Sequence, residues 1–273
     1  MNGVFDDFVN SKCFVDRVEV NVWGTPRRAT GSCIAPLPSI GIASPQSKYA
    51  RLGKGTCSVT GNPVQWKYGN FQKPPWDLAP YRFLLRSESA PLTCAQLETA
   101  IDNVLRTRSR QVVSLVELTF DTSLGMQAVY RDLFTRSSRV YQVGSCWCVG
   151  SPRSAWRLRI YQKTWRVTRI EFVFRPKALR ELHIRRPHDI LRLRIADISR
   201  LVQWQEFDPI RTSVVIGQKA SGPAVHLCLA LQHRSMRHLD QLLRREYRVP
   251  TRPLLRPSPV QQLLQQMQSR FIW

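Results

Sequence analysis

The sequence predicts an α+β fold: an antiparallel β-sheet with helices packed on one face, followed by a helical C-terminal region. Segments in which apolar and polar residues alternate, typical of half-buried strands, are interspersed with segments that carry an apolar residue every third or fourth position, typical of amphipathic helices. Of the 273 residues, 43% are hydrophobic, which is enough for a buried core in a chain of this length.

The charge balance indicates a polyanionic partner. Lys and Arg together number 41 against 19 Asp and Glu, so the formal net charge is +22. Most of these cations are Arg, whose planar guanidinium group suits phosphate oxygens. Because they recur in patterned segments through the middle of the chain and are not confined to a tail, nucleic acid is the predicted partner.

The cysteines predict a reduced, cytoplasmic protein. There are seven, an odd number without a CxxC pair, and no secretory apolar segment opens the chain. Cys146 and Cys148 flank Trp147 on a predicted strand, so their thiols should share one face; we expect a structural role, because zinc would need two further ligands. No apolar run approaches the ~20 residues that span a bilayer, so no membrane partner is expected.

The elements follow in chain order. Residues 1–75 are rich in Gly, Pro and Ser and predict loops between short strands. Residues 81–86 predict a strand, and a helix should follow with Thr93 as its N-cap, because Gln96 three residues later completes a capping box. In the next strand, "VVSLVELTFD", the apolar residues alternate toward a core, and Glu117 and Asp121 lie on the opposite face.

A β-hairpin is predicted in "WRLRIYQKTWRVTRIEFVF". The apolar faces of its strands coincide if residues 164–166 form a three-residue loop, which places Tyr161 opposite Arg169 and Arg159 opposite Glu171. Before the hairpin, "MQAVYRDLF" predicts a helix. After it, residues 176–205 look helical, "AVHLCLALQ" predicts a strand, and two amphipathic helices end the chain, the last opened by Ser258 and Pro259.

The polar face of the hairpin carries the chemistry of interest. A sheet face with solvated ion pairs is one interpretation. The other is a phosphodiester site, in which Glu117, Asp121 and Glu171 hold Mg²⁺ or Mn²⁺, since these cations prefer oxygen ligands. Tyr161 is then the nucleophile. The cations that would activate it and steady the developing charge are Arg157, Arg159, Lys163 and Arg169.

Three motifs resemble those of the replication initiation factors of rolling-circle plasmids and filamentous phages, the trans-acting Rep nicking-closing enzymes. They are "VELTFD", similar to a strand with two acids four apart; "GSPRSAWRLRIYQK", similar to a Gly-Ser-x-x-Ser segment running into Arg-hydrophobic-Tyr-x-Lys; and "TRIEFVFRPKAL", similar to an Arg-hydrophobic-Glu strand. The resemblance covers residues 80–185. It implies a ferredoxin-like, Rep nickase-like core.

The resemblance implies a function and partners. Tyr161 would nick origin DNA through a phosphotyrosine, with catalytic help from Arg159, Lys163 and Arg169, and start rolling-circle replication of a plasmid or phage. Single-stranded origin DNA, a second copy of the chain and a host helicase are the implied partners. Residues 76–205 would be the catalytic domain, between the β/loop-rich region 1–75 and a C-terminal region 206–273. The predicted DNA-binding cations are Arg153, Arg157, Arg175, Lys177, Arg180, Arg185 and Arg186.

Two other functions stay open. The chain has Leu115 where the family usually has Arg and Glu117 where it usually has Asp, and it lacks a His-hydrophobe-His pair. These departures fit an all-carboxylate site, or a non-catalytic DNA-binding or regulatory protein that retains the fold. A generic RNA-binding protein is the third interpretation, with Trp156, Tyr161 and Trp165 as stacking platforms.

Overall fold

A computed structural model describes much of the chain. The described residues are 12–26, 41–42, 49–56, 61–69, 81–88, 90–131, 133–135, 140–198, 201–207, 241, 244–245, 255–268, 271 and 273. They belong to two compact units, each assembled from segments that are distant in sequence. Unit 1 contains Met1–Lys12, Phe120–Glu171 and Arg194–Arg270, and unit 2 contains Cys13–Thr119, Phe172–Leu193 and Phe271–Trp273.

Strands dominate the described residues, and short helices separate them. The strands are β1 (Lys12–Pro26), β2 (Gly41–Ile42), β3 (Tyr49–Thr56), β4 (Pro63–Gly69), β5 (Tyr81–Arg86), β6 (Leu105–Thr122), β7 (Leu133–Thr135), β8 (Val140–Val143), β9 (Cys146–Val149), β10 (Trp156–Thr164), β11 (Val167–Phe174), β12 (Val202–Phe207) and β13 (Leu255–Pro257). The helices are α1 (Cys94–Val104), α2 (Met126–Arg131), α3 (Pro176–Glu181), a 3₁₀ helix (Pro187–Arg192), α4 (Ile195–Ile198) and α5 (Pro259–Gln268).

The strands of unit 2 lie in the order β2-β3-β4-β5-β1-β6. Antiparallel pairing joins β2 to β3, β3 to β4, β4 to β5 and β5 to β1, with Val18 opposite Leu85 and Val20 opposite Phe83. These four side chains are at most 1% exposed, and they form the centre of the unit 2 core. The two β-branched valines and the aromatic Phe83 suit a pleated, buried surface.

Helix α1 begins as its sequence predicts. The backbone N–H of Gln96 donates to the Thr93 hydroxyl, and the Gln96 side chain accepts from the Thr93 backbone N–H, which completes the capping box. Leu97, Ala100 and Ile101 are buried on one face of the helix. The predicted strand at Tyr81–Arg86 is likewise confirmed as β5.

The strands of unit 1 lie in the orders β11-β10-β9-β8 and β13-β12-β7. Pairing is antiparallel between β8 and β9, between β9 and β10, and between β12 and both of its neighbours. Trp204 of β12 is almost fully buried: its indole N–H donates to the Val129 carbonyl at 3.1 Å, and its backbone N–H donates to Gln261 Oε1 of α5 at 3.2 Å.

Helix α5 confirms the last predicted amphipathic helix. Gln261 N–H donates to the Ser258 hydroxyl, and Pro259 stands at the first helical position, where its missing N–H has no cost. The apolar stripe of α5 is buried; its residues are Val260, Leu263, Leu264 and Met267. The predicted strand at residues 224–232 and most of the helix around residues 239–243 lie outside the described residues.

The continuous helical character predicted for residues 176–205 is wrong. Instead α3, the 3₁₀ helix and α4 follow one another as short pieces, and β12 begins at Val202. His183, with φ of 58°, turns the chain out of α3, and Pro187, which has no N–H to donate, opens the 3₁₀ helix. The predicted helix at residues 126–134 is also shorter, because Leu133–Thr135 pair as strand β7 with β12.

The α+β class is confirmed in its coarse form, a mostly antiparallel arrangement of strands with some helices. The ferredoxin-like core, the helical C-terminal region as a whole and the boundaries at residues 75 and 205 stay predictions.

Candidate active site

The hairpin β10–β11 positions the predicted nucleophile. Leu158 and Ile160 are fully buried on one face of β10, while Arg159 and Tyr161, on the other face, are half-buried. The strands end at Thr164 and resume at Val167, so the turn holds two residues and not the predicted three. Trp165 in this turn is 79% exposed, and the Arg166 guanidinium lies 3.8 Å from its ring centroid.

Tyr161 contacts a buried carboxylate. Its hydroxyl donates a hydrogen bond to Glu171 Oε2 at 3.0 Å, and Glu171 is only 2% exposed. The other oxygen of Glu171 forms an ion pair with Arg159. A carboxylate that already accepts the phenol hydrogen bond is placed to take the phenol proton, which is the first requirement for a tyrosine nucleophile.

A second buried carboxylate lies in the same unit. Asp121, near the end of β6, receives two parallel hydrogen bonds from Arg169, Nε to Oδ1 at 2.7 Å and Nη2 to Oδ2 at 2.8 Å. Lys163 Nζ lies 3.2 Å from Oδ2. The guanidinium fork matches the carboxylate plane, so this pair fixes the orientation of both side chains.

These groups define the tyrosine cluster, a set of six residues in unit 1: Asp121, Arg159, Tyr161, Lys163, Arg169 and Glu171. Three cations face two carboxylates, which leaves an excess of one positive charge. The carboxylates are buried and the outer groups Tyr161, Arg159 and Lys163 reach solvent. The polar face is therefore a packed layer of ion pairs rather than the solvated face that alternation alone suggests.

The third predicted metal ligand, Glu117, lies in unit 2. Arg17 Nη1 is 3.5 Å from Glu117 Oε1, Arg17 also pairs with Glu19, and Arg82 Nε is 3.3 Å from Glu19 Oε2. We name this set the Glu19 cluster; its members are Arg17, Glu19, Arg82 and Glu117. The sequence prediction missed the first three of these residues. The sequence did carry a signal for two of them, because Arg17 and Glu19 alternate with valines in "RVEVNVW".

In unit 1, the carboxylate oxygens that were predicted to bind a metal are already in contact with other side chains. Both oxygens of Asp121 contact Arg169 and one also contacts Lys163, while those of Glu171 contact Arg159 and Tyr161. As placed, these carboxylates do not fit Mg²⁺ or Mn²⁺, because an ion would have to displace guanidinium groups. Metal ligation by Glu117, Asp121 and Glu171 stays a prediction.

Among the described residues, the side chains that bring three potential metal ligands together are Cys94, Glu98 and His188 of unit 2. Burial, and then the charge of Glu98, raise the pKa of Cys94 to about 11, although Arg108 opposes the shift.

The predicted DNA-binding cations differ in their surroundings. In unit 1, Arg153 is exposed, whereas the Arg157 guanidinium donates to Cys148 Sγ at 3.2 Å and is half-buried. In unit 2, Arg175 is half-buried at the N-cap of α3. The remaining four cations are exposed; they are Lys177, Arg180, Arg185 and Arg186.

Cys146 and Cys148 share one face of β9, as predicted, with their sulfur atoms 3.7 Å apart. Burial and the neighbouring Cys148 raise the pKa of Cys146 to about 11. Between them, Trp147 stacks on Tyr130 with ring centroids 4.0 Å apart. The contacts of residues 146–148 in unit 1 are therefore packing contacts.

The fold and the cluster together define an α+β protein with a tyrosine held against a buried, ion-paired carboxylate. No protein-family model matches the sequence, and no curated protein matches it. Among solved structures, a rolling circle replication initiator protein from Geobacillus stearothermophilus is 12% identical, and the match covers 73% of this chain and 89% of that one at a TM-score of 0.43. At that level the likeness assigns neither fold nor function. No helix among the described residues is long and apolar enough to cross a membrane.

Proposed function

We propose that this protein nicks and rejoins single-stranded DNA through a covalent bond to Tyr161, and that it does so at a replication origin to start rolling-circle replication of a plasmid or phage. The observation that carries the proposal is the 3.0 Å hydrogen bond from the Tyr161 hydroxyl to the buried Glu171 carboxylate. The motif resemblance supplies the biological setting, and the net charge of +22 supports a nucleic-acid substrate.

The reaction is a transesterification. Glu171 accepts the proton of Tyr161, and the phenolate oxygen attacks the phosphorus of a phosphodiester bond. The new bond joins the Tyr161 oxygen to the 5′ phosphate, the bond from phosphorus to the 3′ oxygen breaks, and that oxygen takes a proton from solvent. In the reverse reaction the 3′ hydroxyl gives its proton to solvent and its oxygen attacks phosphorus; the bond from phosphorus to the Tyr161 oxygen breaks, and that oxygen takes back the proton from Glu171. Since one phosphodiester replaces another, no ATP is consumed.

The cations of the tyrosine cluster have separate roles. Arg159 and Lys163 reach solvent and carry the positive charge that a phosphate meets first, so we assign them the binding of the scissile phosphate and the stabilisation of its transition state. Arg169 is buried against Asp121 and acts by holding that carboxylate and the adjacent end of β11 in place.

DNA contacts away from the reacting phosphate are assigned to the exposed basic residues of each unit. Binding through such residues releases condensed counterions, so affinity should fall steeply with salt concentration. A second copy of the chain and a helicase belong to the proposal through the motif resemblance alone.

The divalent metal is a separate part of the proposal, and no step of the mechanism above is assigned to it. Because Asp121 and Glu171 are already held by guanidinium groups, no ligand set is assigned to it either. If the metal acts, EDTA abolishes cleavage and Mn²⁺ or Mg²⁺ restores it. Cleavage that is indifferent to the chelator removes the metal from the reaction and leaves the tyrosine chemistry intact.

The decisive experiment is covalent capture. The protein is incubated with labelled single-stranded DNA covering its own replicon, denatured, and digested for mass spectrometry. We expect a DNA adduct on Tyr161. Tyr161→Phe, which removes one hydroxyl and little packing, should abolish the adduct while DNA affinity persists.

Tyr141→Phe is the matched control, because Tyr141 is another half-buried tyrosine of unit 1, on β8. It should retain the adduct. Strand cleavage by Tyr161→Phe, or loss of cleavage in Tyr141→Phe to the same extent, would refute Tyr161 as the nucleophile.

A non-catalytic DNA-binding or regulatory protein is the second candidate. The ion pairing of Asp121 and Glu171 favours it, because the oxygens of both carboxylates already contact cations or the Tyr161 hydroxyl and so are not open to a metal ion. An absence of adducts across the whole replicon, together with salt-sensitive DNA binding, would establish this candidate and exclude the first.

A further inference from the structure

Three side chains of different chemistry converge in unit 2. Cys94 is the first residue of α1, and Glu98 is four residues later, which places both on one face of the helix. His188 is the second residue of the 3₁₀ helix, 94 positions away from Cys94 in sequence. The pairing therefore depends on the fold and has no local sequence signature.

The distances suit a shared metal ion. The Cys94 sulfur lies 3.1 Å from His188 Nδ1, Glu98 Oε1 lies 3.8 Å from the same nitrogen, and all three ligand atoms are within 4.8 Å of one another. Zinc bonds of about 2.3 Å to sulfur and about 2.0–2.1 Å to nitrogen and oxygen, at tetrahedral angles, separate sulfur from nitrogen by about 3.5 Å and nitrogen from oxygen by about 3.4 Å. The observed separations differ from these by less than about half an ångström.

The approach of both groups to one nitrogen of His188 differs from the geometry of a relay triad. In a Cys–His–carboxylate triad the thiol and the carboxylate bind opposite nitrogens of the imidazole ring, so that one orients the ring while the other exchanges a proton. Here both approach His188 Nδ1. Three potential ligand atoms within 4.8 Å of one another are close enough to share one ion.

The backbone around each ligand is fixed by other contacts. The capping box at Thr93 and Gln96 holds the first turn of α1, where Cys94 lies. The Trp273 indole N–H donates to the carbonyl of Pro187, the residue before His188, at 2.8 Å. Arg108 pairs with Glu98 only loosely, with Nη2 3.9 Å from Oε1, because its Nη1 also lies 3.5 Å from Asp102 Oδ1.

We propose that Cys94, Glu98 and His188 bind a Zn²⁺ ion, with water as the fourth ligand. Sulfur, imidazole and carboxylate together favour zinc over the hard cations Mg²⁺ and Ca²⁺. His188 is exposed, so the fourth position faces solvent. The bound ion would link the N-terminal turn of α1 to the 3₁₀ helix. This site is independent of the tyrosine cluster and of the proposed function.

Cobalt spectroscopy tests the site without reference to activity. The full chain is stripped with EDTA, dialysed under reducing conditions, and titrated with Co²⁺. We expect the wild-type protein to bind about one equivalent with a thiolate-to-cobalt charge-transfer band and tetrahedral d–d bands, and Zn²⁺ to displace the ion. Cys94→Ser should lose the charge-transfer band, and His188→Ala should weaken binding by more than about 100-fold.

The controls separate this site from other thiols and histidines. Cys146→Ser alters the thiol pair of β9, and His183→Ala removes another exposed histidine of unit 2; both should bind Co²⁺ as the wild type does. Circular dichroism confirms that each variant is folded. A wild-type protein without the charge-transfer band, or a band that persists in Cys94→Ser with affinity within about threefold, would overturn the proposal.

Discussion

Removing one partner of the buried ion pair between Arg169 and Asp121 should destabilise unit 1 strongly. The side chains are 9% and 11% exposed and share two hydrogen bonds. Arg169→Met keeps an apolar side chain of similar length but removes the guanidinium group that pairs with the Asp121 carboxylate. Breaking a buried pair from one side costs about 3–5 kcal/mol. Since Lys163 still contacts Asp121, we expect a loss of about 2–4 kcal/mol in the free energy of unfolding, measured by urea denaturation.

Lys163→Met is the matched control, because Lys163 contacts the same carboxylate oxygen but is 44% exposed. Solvent screens its charge, so its replacement should cost less than about 1 kcal/mol. Coincident fluorescence and circular dichroism transitions establish that a single unfolding step is compared. Equal losses for the two variants, or a loss below 1 kcal/mol for Arg169→Met, would refute burial as the factor that separates the two cations.

Two further predictions concern the helices of unit 2. Thr93→Ala should lower the free energy of unfolding by about 1 kcal/mol and speed amide exchange in the first turn of α1, whereas Thr99→Ala, at an exposed position of the same helix, should change neither appreciably. At Asp189, burial raises the pKa, but hydrogen bonds from the backbone N–H groups of Arg186 and Arg185 outweigh it and hold the pKa below its ordinary value of 3.8. The stabilisation by the Asp189 carboxylate is therefore present above about pH 4 and disappears as pH falls through the lowered pKa. Asp189→Ala should be less stable than wild type by about 0.5–2 kcal/mol at pH 7, and the gap should close in acid; a gap that does not change with pH would contradict this role.

Local patterns predicted the elements that local interactions define. The capping box of α1 involves residues three apart, and the strand at Tyr81–Arg86 carries its alternation in six residues, so both were visible in the sequence. The same is true of α5, whose Ser-Pro start and apolar stripe are contiguous. The prediction for residues 176–205 failed because apolar spacing does not reveal a positive φ at His183.

Part of the candidate site was also visible in the sequence, because it follows a local pattern. Alternation placed Arg159, Tyr161 and Glu171 on one face of the hairpin, and the structure brings them into contact. Alternation did not show that Glu171 would be buried. Nor did it show that the Arg169 guanidinium would bind Asp121, which is 48 residues earlier in the sequence. Those outcomes depend on how neighbouring strands cover the polar face.

The sequence by itself determined the class of the fold, the face of the hairpin that carries the tyrosine and the basic character of the protein, because period-two alternation, capping and net charge are properties of contiguous residues or of composition. Tertiary structure alone decided the rest: it assembled each compact unit from distant segments, paired each carboxylate with its guanidinium, and brought His188 to Cys94. The physical reason is that such contacts depend on chain topology and burial, which act between residues far apart in sequence.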